Sequence, residues 1–146
     1  MPALRRHLRT IVKSKKVYTW SHTDGAPILA DAVKVDRMIF LSGMTGVDST
    51  GKLPGEDFES QARQAFENIQ AILEEGGSSM KDVVKITFYL TDMRDIDTLR
   101  RVRREYKDKG ILSLAASTTV GISSLAKDQS GRFPYKIEID ATAITE

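Results

Sequence analysis

Cysteine and histidine, two of the side chains most often used to make or break covalent bonds, are absent or scarce in this chain. There is no cysteine, which excludes thiolate catalysis, disulfides and cysteine metal sites. The two histidines, His7 and His22, have no metal-ligand spacing, and nothing around them supports a Ser-His-Asp arrangement. Carboxylates and arginines are among the residue types left that could take part in chemistry. Glu138 and Asp140 stand two apart in Ile137-Glu138-Ile139-Asp140, an alternation that puts both on one face of a strand. A carboxylate there either faces solvent or takes and returns protons. Arg100, Arg101, Arg103 and Arg104 crowd one helical segment beside Asp97 and Glu105. Such a run is usually a solvated, ion-paired face, yet an arginine fork also matches both oxygens of a carboxylate. No phosphate-cradling glycine loop and no RNA-recognition aromatic signature is present, and neither a metal nor a cofactor is expected.

The elements that must hold these residues are legible from periodicity. Over 61–92, Ala62, Ala65, Phe66, Ile69, Ile72 and Leu73 form one apolar helical stripe. Asp57 is its candidate N-cap and Glu59 an anion in its first turn. Gly76 and Gly77 are expected to end it in the left-handed conformation. A strand follows, with Val84, Ile86, Phe88 and Leu90 on its apolar face. A second helix is predicted over 95–107, with Ile96, Leu99, Val102 and Tyr106 inward and Gly110 as its stop. Residues 32–42 read as two strands bent at Asp36-Arg37, with Val33, Val35, Ile39 and Leu41 facing one way. The segment 18–20 is a candidate first strand, and 116–122 and 136–143 are the last two. The order ββαβαββ implies an α+β fold, both helices on one face of a mixed sheet.

A length of 146 residues fits one domain with a continuous core. No apolar run approaches the ~20 residues a membrane-spanning helix needs, so no membrane span is expected. Six of the 22 basic residues (Arg5, Arg6, Arg9, Lys13, Lys15 and Lys16) precede the first acid, Asp24. The remainder holds 16 basic against 20 acidic residues, a net of about −4, so overall charge does not point to DNA. Residues 1–16 therefore read as a basic amphipathic extension, with Leu4, Leu8, Ile11 and Val12 on one side. It is expected to dock on the body or a neighbouring subunit, or to meet an acidic partner or membrane surface. Organelle targeting is a further alternative to a cytoplasmic location. Residues 17–146 form the domain.

Several separated blocks, in order, carry a resemblance. They are Phe40-Leu41-Ser42-Gly43, Asp48 with Gly51, Gln61 with Glu67-Asn68-Ile69, Gly76-Gly77-Ser78-Ser79, Asp82-Val83-Val84-Lys85, Leu90-Thr91-Asp92-Met93, Thr119-Val120-Gly121-Ile122 and Ile137-Glu138-Ile139. The set resembles the Rid family (YjgF/YER057c/UK114) across roughly residues 25–143. The resemblance implies a chorismate-mutase-like homotrimer with clefts between subunits and deamination of reactive enamines or imines. It implies a catalytic role for Glu138, which would position or activate water, and a cleft-bordering amide at Gly43. Ser117 falls where the family's deaminases carry the arginine that grips the substrate carboxylate, and Thr119 where they often carry a small polar residue or cysteine. Leu29 replaces a cleft tyrosine. Arg100 replaces a cleft asparagine and is a candidate for a relocated carboxylate grip. The readings are thus a divergent imine deaminase, a non-catalytic trimer binding a small carboxylated ligand or, third, an RNA-binding protein or ribonuclease.

Overall fold

The computed structural model describes residues 16–18, 29–128 and 130–146. The amphipathic extension over residues 4–12 lies outside the described residues. Among the described residues, nine strands and α-helices follow in order: β1 (Lys16–Tyr18), β2 (Ala32–Val35), β3 (Met38–Leu41), β4 (Met44–Thr45), α1 (Phe58–Glu75), β5 (Val83–Leu90), α2 (Ile96–Asp108), β6 (Ala116–Gly121) and β7 (Ile137–Ile144). The strands form one mixed sheet in the order β1-β2-β3-β7-β5-β6, with β4 also paired to β7. Among the described strands only the β5–β6 pair, joined through α2, is parallel. This is the expected α+β plan with one short strand, β4, added to it. β1 begins two residues before the strand predicted at 18–20, whose residues 19 and 20 lie outside the described residues.

Helix α1 forms as its sequence dictates. Asp57 caps it, its carboxylate accepting from the Ser60 amide at 2.9 Å, and the predicted stripe is buried. The two terminal glycines differ from expectation. Only Gly77 is left-handed, at φ 79°. Gly76 keeps a negative φ of −79°, and a Cβ there would come within 3.0 Å of Ile39 Cδ1. Ser78 N donates to Leu73 O and Gly77 N to Glu74 O, the bonding that closes a helix on one left-handed residue.

Two further expectations are corrected. The hairpin between β2 and β3 turns through Asp36 and Arg37, so Val33 pairs with Phe40 and Val35 with Met38. Directly paired residues share a face, so the two valines lie opposite Ile39 and Leu41, which enter the core. In β5 a bulge sets Val83 opposite Ala143 but Lys85 opposite Thr142. The extra residue turns Val83 inward and leaves Val84 exposed, the reverse of simple alternation. Ile86, Phe88 and Leu90 are buried as predicted.

The core lies between the sheet and both helices. Phe66 of α1 meets Phe88 edge-on, centroids 6.1 Å apart, and stacks on Tyr106 of α2 at 4.8 Å. Leu99 and Val102 are the buried residues of α2, with Ile96 and Tyr106 packed alongside. At the rim, Glu59 of α1 pairs with Arg101 of α2 at 2.6 Å and with Arg63 at 2.9 Å, while Arg63 also reaches Glu105 at 2.8 Å. These exposed pairs orient the helices more than they stabilise them. Among the described residues, no helix is long and apolar enough to cross a membrane. Phe66 is the residue at which both helices and the sheet meet. Phe66→Ala is expected to lower stability by about 3–5 kcal/mol, measured by urea unfolding.

Candidate functional site

β7 is the strand around which the candidate site is built. Ile137, Ile139, Ala141 and Ala143 are buried, which turns Glu138 and Asp140 to the face away from the helices. Glu138 lies between Thr45 of β4 and Tyr89 of β5. Its carboxyl group presses on Gly43, where an added Cβ would sit 2.6 Å from Glu138 Cδ and 2.7 Å from Oε2. Any side chain at Gly43 would therefore displace the carboxylate. Half-burial, and secondarily the charge of Asp140, hold the Glu138 carboxyl above the usual carboxylate range. Asp140 accepts a hydrogen bond from Tyr89 Oη at 3.0 Å, which pushes the Tyr89 phenol up in turn.

Polar side chains of α1 fix the backbone around this carboxylate. Gln61 is buried, and its Oε1 accepts from the Lys136 amide at 2.8 Å, just ahead of β7. Asn68 donates through Nδ2 to the carbonyls of Thr45 at 2.9 Å and Val47 at 2.6 Å, holding β4 against the helix. Ser42 donates through Oγ to Ala30 O at 2.6 Å, and its amide donates to Asp31 O at 2.8 Å. Those bonds bring the stretch carrying Leu29, whose side chain is exposed, beside Gly43. Leu29, Gly43 and Glu138 thus gather in one region.

The other three candidates gather elsewhere. β6 is an edge strand, and its register sets Ser117 opposite Ile86 and Thr119 opposite Phe88. Both therefore stand on the helix-covered side of the sheet. Arg100 of α2 is exposed and pairs with Asp97 at 3.3 Å. With Arg103, Arg104, Lys107 and residues 112–115, it lines an open depression of about 370 Å³ leading to β6. Within one chain, then, Arg100, Ser117 and Thr119 lie on the opposite face of the sheet from Glu138. Among the described residues no three His, Asp or Glu side chains come together as metal ligands.

Sequence reasoning placed Arg103 among solvated arginines. It is half-buried instead, its guanidinium 4.5 Å above the Phe88 ring, and burial disfavours its charge. Its position one turn beyond Arg100 was the available signal. Tyr89, the partner of Asp140, carried none beyond its place on the polar face of β5.

The chain is similar to known proteins over most of its length. Residues 26–145 match the family described as Endoribonuclease L-PSP. A RutC family protein of Pyrococcus abyssi is 38% identical over 118 residues, spanning 80% of this chain and 86% of that protein. A 2-iminobutanoate/2-iminopropanoate deaminase of Salmonella typhimurium is 31% identical over 126 residues, spanning 84% and 94%. Among solved structures, Escherichia coli TdcF with bound serine superposes with a TM-score of 0.76 at 29% identity, covering 89% of this chain and 98% of that one.

The arrangement around Glu138 fixes a titration. Because the folded carboxyl holds its proton more tightly than the unfolded one, ionisation opposes folding. Stability is therefore expected to fall, relative to Glu138→Gln, as pH rises from the ordinary glutamate value through the raised folded one. Asp140→Asn is expected to lower the Glu138 midpoint in a carboxyl-carbon NMR titration. An unmoved midpoint would leave burial as the only cause.

Proposed function

This chain belongs to the Rid family, the one described as Endoribonuclease L-PSP, and on that footing we propose that it hydrolyses a reactive imine or its enamine tautomer. The observation that carries the reading is the half-buried carboxyl of Glu138 held against the Gly43 backbone, in a chain whose relatives include an imine deaminase. Hydrolysis of a C=N bond consumes one water and yields a carbonyl and ammonia. Glu138 takes a proton from water as its oxygen adds to the imine carbon. It passes that proton to the imine nitrogen, then carries the hydroxyl proton of the tetrahedral intermediate to the same nitrogen as the C–N bond breaks, so that both protons of water leave with ammonia and its oxygen stays in the carbonyl. A carboxyl group raised toward neutrality suits both halves, since it neither holds nor sheds the proton too firmly.

The reading includes a threefold assembly. Glu138, Gly43 and Leu29 lie on one side of the sheet, and Ser117, Thr119 and Arg100 on the other, so a single chain cannot close a cleft that uses both groups. A second copy can. The sheet face away from the helices supports this assembly, because Met38, Phe40, Val120 and Ile144 leave apolar surface exposed there. Ser117 favours a second reading at the same cleft, in which a small carboxylated ligand is bound without turnover. A hydroxyl there offers a substrate carboxylate no charge.

The two readings separate in one assay. With 2-aminoacrylate generated by a serine dehydratase, the protein is expected to accelerate release of the keto acid and ammonia. Glu138→Gln is expected to lower that rate about a hundredfold or more. A rate equal to the uncatalysed one would remove 2-aminoacrylate as the substrate and favour the binding reading.

A further inference from the structure

We propose that Arg103 is the carboxylate-gripping group of this chain, and that the cationic depression around it takes a dicarboxylic ligand. The family's position for such an arginine is Ser117 here, so the strand offers no cation. The helix facing it does. Arg103 lies over Phe88 at 4.5 Å, and Thr119 is the register partner of Phe88. The guanidinium therefore stands beside the strand face that carries Ser117 and Thr119. Strand and helix have exchanged the charge across one cleft wall.

The state of Arg103 is the second argument. Arg63, Arg94 and Arg101 are each bound by a carboxylate at 2.6–2.9 Å. Among the described residues, Arg103 has no carboxylate partner although it is half-buried, and its aromatic contact offsets only part of that cost. Arg104 and Lys107, on the same depression, have no ion pair among the described residues either, and no acidic side chain lines it. A monocarboxylate would leave most of this charge uncompensated, whereas two carboxylates bridging Arg103 and its neighbours would balance it. The space, about 370 Å³, is that of a small ligand. A recessed guanidinium above a ring suits a planar carboxylate better than a polynucleotide backbone, which is held by exposed cations.

The inference rests on the cleft reading above for its location, but on binding rather than turnover, so calorimetry with the full chain tests it. Succinate is expected to bind at least about tenfold more tightly than propionate. Arg103→Gln is expected to weaken succinate binding about ten- to a hundredfold, with Arg103→Lys between. Adding Ser117→Arg to Arg103→Gln is expected to restore binding by returning the cation from the strand. Backbone amide shifts on titrating the unaltered protein with succinate are expected at Ala115, Ser117 and Thr119, a readout that needs no variant to fold. Equal succinate affinity in the Arg103→Gln protein, shifts confined to other surfaces, or displacement of succinate by a short RNA would overturn the inference. Deamination that proceeds unaltered in Arg103→Gln would sink this inference and keep the proposed function. Arg103-dependent succinate binding without deamination would do the opposite.

Discussion

The strict alternation of β7 is the constraint from which the rest of the molecule follows. Ile137, Ile139, Ala141 and Ala143 all enter the core, and β3, β4 and β5 all pair with this one strand. Burying four alternate residues leaves Glu138 and Asp140 no choice of side, since a slip of one residue would drive both carboxylates into the apolar interior. The same strand thus fills the core with one face of its pleat and presents both carboxylates on the other. Its flanks are pinned by Gln61 and Asn68, buried polar groups of α1 that bind the backbone at Lys136 and at Thr45. Their hydrogen bonds satisfy groups that would otherwise be costly to bury, and they transmit the position of the helix to the carboxylate.

Glu138 then acquires its character from its surroundings. Gly43 gives it backbone contact on one side, while Asp140 places a like charge two residues along the same face. Tyr89 engages Asp140, and Glu138 itself receives no such neutralising bond among the described residues. Of two carboxyl groups on one strand face, one is satisfied by a phenol and the other is left half-buried with a raised proton affinity. That asymmetry is the one expected of a proton-transfer group beside a structural acid.

Arg103 shows a comparable division on α2. Its neighbours Arg101 and Arg100 pair with acids at the rim, as a helical charge run ordinarily does. Arg103 points toward the sheet, because Leu99 and Val102 bury the adjacent stripe and draw that side of the helix down onto Phe88. Its guanidinium lies 4.5 Å above the Phe88 ring, on the side of the sheet where Ser117 and Thr119 also stand.

Much of this was legible without coordinates. The stripe of α1, the burial of Ile86, Phe88 and Leu90, the side chains of β7 and the helix-on-sheet plan follow from periods of 3.6 and 2 that the residues obey locally. The ordered blocks from Phe40 to Ile139 fixed the family. Tertiary structure alone decided what depends on pairing between distant strands. The hairpin at Asp36-Arg37 reversed the expected side of Val33 and Val35, and the bulge at Val84 reversed the start of β5, because a shift of one residue in register exchanges the two faces. Periodicity states which residues share a side, but not which other element will lie against it. For that reason the sequence alone could not separate Glu138 from Arg100 and Ser117, or lift Arg103 out of its solvated run.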